Sequence, residues 1–290
     1  MNKLGLSLMA QYVNGSVESL KRELLYIENS GADCCELVLH GLDVVVGGHL
    51  LPHRAKRVIA ALRERDLEYT IHLPHDLALN DEATAQMYEA VFLASIEFAQ
   101  MAGARVIVFH AGMSKQYNKD AFLMEAERVR KIAEKASGTL LCIENPLILS
   151  DGIFTWGDSA KSIVQFCDLV NMPNLKITFD IGHYYLHSKG SREELLGAIS
   201  TALPHIGHVH LHDNFGKPTM LLSHDYGQRI ASGVADLHLP PGWGTIPVKE
   251  ALNALKGFGG IINLEIEKRF CDEYASSLSL VRRILEERDA

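Results

Sequence analysis

The sequence has few cysteines, and their spacing excludes the usual uses of paired thiols. Its 290 residues include five cysteines, an odd number without a CxxC motif. Cys142 lies within an apolar run that is typical of a buried strand, where no disulfide is expected. We therefore expect reduced thiols, as in a cytoplasmic protein, and exclude a disulfide framework and a structural zinc knuckle.

Long apolar runs and clusters of basic residues are also absent. No stretch approaches the roughly 18 apolar residues that a membrane span needs, and residues 1–13 contain too short an apolar stretch for a secretory signal. The formal net charge of −8 offers no general attraction to nucleic acids, whose phosphates bind clustered Lys and Arg. We therefore expect a cytoplasmic location, no membrane partner and no nucleic-acid partner.

The hydrophobic pattern indicates an α/β fold. A hydrophobic content of 47% is ample for one large core, and apolar strand-like runs alternate with amphipathic stretches of helical length about every 35 residues. This order predicts a single (β/α)8 TIM barrel domain over residues 1–290. The eight predicted strands cover residues 4–9, 35–39, 69–73, 105–109, 140–143, 176–179, 208–211 and 261–266. The predicted helices cover residues 17–29, 52–65, 82–102, 119–136, 160–169, 192–202 and 273–287.

One connection is much longer than the others. Residues 213–246 separate the seventh predicted strand from a helix that begins near Pro247, whereas most connections hold only a few residues. Long loops at the C-terminal face of a barrel commonly carry function. We therefore predict that a long loop after strand 7 contributes to a site.

Ionisable side chains stand where the last four predicted strands end. They are Glu144, Asp180, His210 and Glu265. Because the C-terminal ends of parallel strands meet at one face of a barrel, these side chains should gather there. A single strand-end carboxylate usually caps a helix or forms an ion pair. Carboxylates combined with an imidazole on four consecutive strands instead predict a site for a divalent cation.

Further candidate ligands follow the same pattern. His72 and His110 come at the ends of the third and fourth predicted strands, and His183 lies three residues after Asp180. Asp236 and His238 form a D-x-H segment within the long loop. On an extended segment this spacing would point both side chains toward the same ion.

These motifs resemble those of the xylose isomerase-like barrel superfamily, also called AP endonuclease family 2, along almost the whole chain. Within it, the endonuclease IV branch carries nine ligands for three zinc ions, and each ligand position is filled here. The matches are His72 with Pro74, His110 with Gly112, Glu144 in IEN, Asp180 with His183, His210 with Asp213, Asp236 and His238 before Gly242 and Gly244, and Glu265.

The resemblance implies how these ligands divide among the ions. One ion would be held by His72, His110 and Glu144. A second would be held by Glu144, Asp180, His210 and Glu265, with Glu144 as the bridge. The third would be held by His183, Asp236 and His238. Zn²⁺ is the expected cofactor, with up to three ions, and Mn²⁺, Co²⁺ or Mg²⁺ are alternatives.

The chain departs from endonuclease IV where that branch grips DNA. The two loops that insert side chains into DNA correspond here to HGLDVVVGGHLLPH and PHDLALND. Neither segment contains Arg or Tyr, and Arg54 comes only after the end of the first. A histidine occupies position 75, where the pattern of the branch places an aromatic wedge. These differences argue against an abasic-site nuclease.

Five side chains are candidate substrate contacts, each with an alternative. His75 could replace a ligand, contact the substrate or face solvent. His212 could support a ligand or contact a phosphate, and Asp213 is a candidate to orient a bound imidazole. Asn145 could hold a substrate oxygen. The other two are Trp243, which lines the pocket mouth or fills a packing gap, and Lys268, which offers charge to a phosphate or remains solvated.

The metal set favours hydrolysis of a small-molecule phosphodiester, because three clustered ions neutralise phosphate and lower the pKa of a bridging water. Resemblance to cobamide-remodelling phosphodiesterases suggests the nucleotide loop of cobamides as substrate. The alternative is a sugar or sugar phosphate isomerase or epimerase with one ion, in which Glu144 and Glu265 move a proton between carbons. A third possibility is a binding protein without turnover, which has little use for a full ligand set. The oligomeric state stays open.

Overall fold

Eight parallel strands close into a barrel. The computed structural model describes residues 2–75, 77–114, 118–147, 154–218 and 226–289. Each barrel strand pairs in parallel with the next along the chain, and the last pairs with the first. The strands are β1 Lys3–Leu8, β2 Cys34–Val38, β3 Glu68–His72, β4 Val106–His110, β5 Leu140–Glu144, β6 Leu175–Asp180, β7 Ile206–Leu211 and β8 Ile261–Leu264. The predicted (β/α)8 barrel is therefore confirmed.

Helices surround this barrel. They are α1 Ala10–Val13, α2 Val17–Asn29, α3 Pro52–Leu62, α4 Ala85–Ala102, α5 Lys119–Lys135, α6 Ala160–Val170, α7 Ile181–His187, α8 Arg192–Ala202, α9 Tyr226–Ser232, α10 Val248–Ala254 and α11 Tyr274–Asp289. Short 3₁₀ helices cover Leu39–Gly41, Leu203–His205 and Lys268–Glu273, and small antiparallel pairs join Val45–Val46 to His49–Leu50 and Met113–Ser114 to Phe154–Thr155. Within the described ranges, no helix is both long and apolar enough to cross a bilayer.

Sequence patterns located the strands within two residues at each end, and the helices differ more. Helix α4 begins at Ala85 rather than 82, and α3 ends at Leu62 rather than 65. Helix α7 was not predicted, because it is short and contains Gly182. Glycines that follow helices α2 and α4 adopt left-handed backbone, with φ of 86° at Gly31 and 74° at Gly103. Such values are the helix stop signal that the sequence contains.

The connection after β7 joins it to α10, and residues 219–225 of it lie outside the described residues. That this whole connection is a loop therefore stays a prediction. Its described parts contain α9 and a backbone bridge between Asp213 and Leu239. This bridge brings the segment that carries Asp236 and His238 back against the end of β7.

The barrel interior changes from apolar to polar along the strands. Val106, Val108 and Cys142 form an apolar cluster with Leu140. Farther along, the buried side chains are polar, and all are at most 1% exposed: Glu36, Thr70, His208 and Asn263. Because inward side chains of a barrel stack in layers, the polar layer lies between the apolar cluster and the side chains at the strand ends.

Glu125 on α5 is a buried carboxylate outside the barrel interior. It is 1% exposed, and its Oε1 accepts a hydrogen bond from Gly112 N at 2.8 Å. Its Oε2 accepts a hydrogen bond from Trp156 Nε1. Burial raises the pKa of Glu125 to about 7, although these two hydrogen bonds favour the charged form. The folded protein therefore holds this proton more tightly than the unfolded chain does.

We predict that Glu125 lowers the free energy of unfolding as the pH rises. Its contribution is full below pH 4.5, the ordinary carboxyl value, and is lost as the pH rises to about 7. Glu125→Gln removes this titration. The difference in unfolding free energy between wild type and variant should change by up to about 3 kcal/mol between pH 4.5 and 7.5, with the wild type losing stability. Urea denaturation across this range measures it, and a pH-independent difference would contradict the assignment.

Candidate metal centre

Glu144, the last residue of β5, is contacted by imidazoles on both of its carboxylate oxygens. Its Oε2 lies 3.1 Å from His72 Nε2 and 3.1 Å from His110 Nε2. Its Oε1 lies 3.2 Å from His183 Nδ1 and 3.4 Å from His210 Nδ1. The side chain is 1% exposed. Glu144 therefore connects ligand candidates from opposite sides of the barrel mouth, as a bridging carboxylate does.

His210 Nδ1 is surrounded by three carboxylates. It lies 3.4 Å from Glu144 Oε1, 3.7 Å from Asp180 Oδ2 and 3.5 Å from Glu265 Oε1. Ligand atoms of a tetrahedral zinc site are spaced by about 3.4 Å, because each lies about 2.1 Å from the ion. In the described part of the chain, His210 Nδ1 and Asp180 Oδ2 are buried without a hydrogen bond. These atoms fit a shared divalent cation.

A second group of ligand atoms surrounds Asp236. His238 Nε2 lies 2.7 Å from Asp236 Oδ2, and His183 Nε2 lies 3.7 Å from the same oxygen. His212 Nδ1 lies 3.6 Å from Asp236 Oδ1, and its Nε2 lies 3.3 Å from Asp180 Oδ1. Both nitrogens of His212 are buried, and neither forms a well-directed hydrogen bond to any described residue. This group fits a second cation and adds His212 to the expected ligands.

The third group consists of imidazoles. Ligand atoms of His72, His75 and His110 lie within 4.8 Å of one another. The ring centre of His75 lies 4.9 Å from that of His72 and 4.8 Å from that of His110. His75 is exposed, whereas His72 is buried. His75 therefore stands at the open side of the centre, where a ligand role and a substrate contact both stay predictions.

The D-x-x-H motif owes its geometry to the start of α7. Asp180 Oδ1 accepts a hydrogen bond from His183 N at 2.6 Å and so caps this helix. The helix turns His183 back toward Glu144. A Cβ on Gly182 would lie 2.1 Å from Cε1 of His212, so only glycine leaves room for that ring.

The D-x-H segment is not the extended strand that its spacing suggested. His238 adopts a left-handed backbone with φ of 42°. Its Nδ1 donates a hydrogen bond to the Glu265 carbonyl oxygen at 2.7 Å, which leaves Nε2 directed at Asp236. Although burial lowers the pKa of His238, Asp236 raises it to about 9. The two side chains therefore meet through a turn, and the Glu265 carbonyl oxygen, just after β8, fixes which way the His238 ring points.

Asp213 holds the loop rather than an imidazole. Its Oδ2 accepts a hydrogen bond from Gly242 N at 2.8 Å, and its Oδ1 accepts one from Ile246 N at 3.1 Å. A Cβ on Gly244 would lie 2.4 Å from Oδ1. The expectation that Asp213 orients a bound histidine is wrong, because both of its oxygens bind the backbone of the turn after His238.

Buried charges in the centre stabilise one another. Burial alone would raise the pKa of Glu144, but His210 and His110 hold it well below its ordinary value. Burial lowers the pKa of His210, yet Glu265 and Glu36 raise it well above the usual range. Positive charge is therefore needed among these carboxylates. A divalent cation can supply it by displacing the imidazolium protons.

Two expected substrate contacts, Asn145 and Lys268, bind other groups of the protein. Asn145 donates a hydrogen bond to the Asp180 carbonyl at 3.0 Å and accepts one from Asp180 N at 2.8 Å, so its amide braces β5 against β6. The ammonium of Lys268 pairs with Glu23 at 2.5 Å and lies 4.4 Å from the ring centre of Tyr26. The polar groups of both residues already have partners, and a substrate contact by either of them stays a prediction.

Trp243 and His212 differ in exposure. The indole of Trp243 is 50% exposed and packs edge-on against Phe270 at 5.3 Å, so a contact at the pocket mouth stays a prediction. His212 is fully buried, and its ring stacks on His238 at 4.0 Å. This position suits a ligand rather than a direct substrate contact.

Sequence reasoning missed Glu36 and assigned no chemistry to His208. Glu36 lies in the middle of β2 and is fully buried, with its Oε1 3.0 Å from His210 Nε2. His208 Nε2 lies 3.1 Å from Glu36 Oε2. The available signal was a single charged residue within the apolar run CCELVL. A buried charge requires a partner, but the pattern does not name it.

Comparisons with known proteins give a family and a fold. Residues 24–284 match a family model described as a xylose isomerase-like TIM barrel. An uncharacterized protein of Methanocaldococcus jannaschii is 26% identical over 261 residues, which are 86% of this chain and 79% of that protein. Among solved structures, a D-tagatose 3-epimerase-like protein has a TM-score of 0.75 and 23% identity, covering 99% of this chain and 100% of that chain. An L-ribulose 3-epimerase has a TM-score of 0.73 and 17% identity, with coverages of 100% and 96%.

We predict that Zn²⁺ stabilises the folded chain through Glu144. An ion that binds only the folded state, at 100 times its Kd, adds about 2.7 kcal/mol to the unfolding free energy. In Glu144→Ala most of this gain should disappear, because one carboxylate contacts His72, His110, His183 and His210. Thermal unfolding with Zn²⁺ and with EDTA measures the gain.

Glu267→Ala is the matched control for this prediction. Glu267 follows Glu265 by two residues, but its carboxylate accepts a hydrogen bond from Tyr12 at 3.2 Å and contacts no candidate ligand. This variant should keep the gain of the wild type. Equal zinc stabilisation of Glu144→Ala and wild type would contradict the role of Glu144.

Proposed function

This chain belongs to the xylose isomerase-like TIM barrel family, and we propose that it is a metal-dependent epimerase or isomerase of a small sugar substrate. The observation that carries the proposal is the convergence of Glu144 and Glu265, from separate strand ends, on His210 Nδ1 at 3.4 and 3.5 Å. The structural neighbours named as epimerases support it, because they share this barrel over nearly the whole chain.

The ion would be held by Glu144, Asp180, His210 and Glu265. When bound there, a divalent cation would supply Lewis-acid chemistry, because it would polarise a substrate carbonyl and stabilise negative charge beside it. The donor set fits Mn²⁺, Co²⁺, Mg²⁺ or Zn²⁺, because it combines carboxylate oxygens with one imidazole nitrogen. Asp180 also caps α7, so its carboxylate is held from two sides.

Glu144 and Glu265 would move the proton. They come from β5 and from the end of β8, two strands that are separated in the barrel by β6 and β7. Two carboxylates that reach a substrate carbon from different sides can remove a proton from one face and return it to the other. Glu265 is less buried than Glu144, with 12% of its side chain exposed against 1%. It therefore has the freer access to a substrate.

We predict solvent-derived hydrogen at the carbon beside the carbonyl. Ketoses incubated in D₂O with the metal-loaded wild type should gain deuterium there. Glu265→Gln and Glu144→Gln should lower this exchange by about 10²- to 10⁴-fold, because a positioned acid or base contributes that much. Mass spectrometry measures the exchange, and Glu267→Gln, with normal exchange expected, is the control. Absence of exchange with every ketose tested would overturn the proposal.

A second candidate is hydrolysis of a small phosphodiester. The observation that favours it is the ligand set beyond the four core residues. His72 and His110 both contact Glu144 Oε2, and His183, His212 and His238 gather around Asp236. Proton transfer with one ion gives these imidazoles no task, whereas phosphate displacement uses several cations. The nucleotide loop of cobamides is the specific substrate within this candidate.

Metal content distinguishes the two candidates. We expect close to one tightly bound ion per chain for the epimerase and close to three for the phosphodiesterase. Elemental analysis after dialysis of zinc-loaded and manganese-loaded protein measures the ratio. Asp236→Asn changes the carboxylate at the centre of the second ligand group, which contacts His183, His212 and His238. It should leave deuterium exchange largely intact but abolish phosphodiester cleavage. Cobalamin left without a cobinamide-type product would count against the cobamide substrate.

A further inference from the structure

Glu36 lies inside the barrel beneath the candidate metal centre. It is fully buried, as are its two imidazole neighbours, His208 and His210. Glu36 Oε2 accepts hydrogen bonds from Thr70 Oγ1 at 2.9 Å and from His208 Nε2 at 3.1 Å. Asn263 Nδ2 donates to Glu36 Oε1 at 3.2 Å. A buried carboxylate with this many partners is held in one place.

The remaining contact of Glu36 is with a candidate ligand. Its Oε1 lies 3.0 Å from Nε2 of His210, while Nδ1 of the same ring faces Glu144, Asp180 and Glu265. An imidazole that binds a cation through Nδ1 must carry its proton on Nε2. Among the described residues, Glu36 is the carboxylate within ion-pair distance of Nε2. The 3.0 Å contact is not aligned as a hydrogen bond, so Glu36 favours a proton on Nε2 through its negative charge.

The same residues reach a second ligand candidate. Asn263 Nδ2 also donates to Ser7 Oγ at 2.7 Å, and Ser7 Oγ donates to Glu265 Oε1 at 3.2 Å. Glu36 is therefore connected to His210 directly and to Glu265 through two polar side chains. We call Glu36, Thr70, His208, Asn263 and Ser7 the Glu36 network.

We propose that Glu36 is a positioning residue, which selects the tautomer of His210 that directs Nδ1 at the metal and holds that ring in place. The inference rests on the metal dependence of the proposed function. A carboxylate behind a ligand imidazole fixes its orientation and increases its basicity, and loss of such a partner typically costs 10- to 100-fold in metal affinity. The contact with His208 keeps the second carboxylate oxygen occupied, so Glu36 cannot turn away from His210.

The first test compares two substitutions of buried carboxylates. Glu36→Gln keeps the size of the side chain but leaves one acceptor oxygen for two imidazoles. Glu125→Gln is the matched control, because Glu125 is equally buried and contacts Gly112 and Trp156 instead of candidate ligands. Zn²⁺ affinity is measured by competition with a chelator, and thermal unfolding of the metal-free proteins is measured in parallel.

We expect Kd for Zn²⁺ to rise about 10- to 100-fold in Glu36→Gln and to stay near the wild-type value in Glu125→Gln. A general loss of stability would move both variants in proportion to their fall in Tm. Equal affinities of Glu36→Gln and wild type, or equal losses in both variants, would overturn the role of Glu36.

A second measurement serves if Glu36→Gln does not fold. Long-range ¹H–¹⁵N spectra of zinc-loaded wild type report which ring nitrogen of His210 carries the proton, and His210→Asn identifies its signals. A proton on Nε2 is expected, and a proton on Nδ1 would overturn the inference.

If the wild type binds no divalent cation, the metal centre itself fails. If the wild type binds zinc, and Glu36→Gln binds it more weakly than Glu125→Gln does, but no sugar proton exchanges, only the proposed function fails.

Discussion

Buried negative charge at the C-terminal end of the barrel is the constraint on which the rest of the site depends. Glu144 and Asp180 are at most 1% exposed, and a carboxylate in that position is very unfavourable without positive charge beside it. Protonated imidazoles provide this charge in the protein alone, and a divalent cation can take the place of their protons. The density of histidines around Glu144 and Asp236 follows from this need.

The fold meets the constraint by dividing the ligands between rigid strands and an anchored loop. Glu144, Asp180 and His210 belong to β5, β6 and β7, whose hydrogen-bonded register sets their spacing. Asp236 and His238 come from a connecting segment, which is the less precise kind of support. Asp213 compensates, because its buried carboxylate binds the backbone of the turn that follows His238. Loop and strands therefore present candidate ligands to one centre.

The layers of the barrel interior connect the core to the chemistry. Apolar side chains fill one end, the Glu36 network occupies the middle, and the ligand candidates lie at the mouth. Because the Glu36 network contacts both His210 and Glu265, the middle layer constrains the upper one. The same four-residue core is compatible with sugar epimerisation and with phosphodiester cleavage. What separates these chemistries is how many of the flanking imidazoles hold further ions.

The sequence alone predicted the barrel and most of the candidate ligands. Hydrophobic periodicity is a local property, so it located the strands, and parallel topology then required Glu144, Asp180 and His210 to share one end. Only the tertiary structure decided which polar groups meet. Glu36 contacts residues 34, 172 and 227 positions away, and no local pattern encodes such pairs. Partners that distant along the chain also explain why Lys268 and the amide of Asn145 turned out to be occupied.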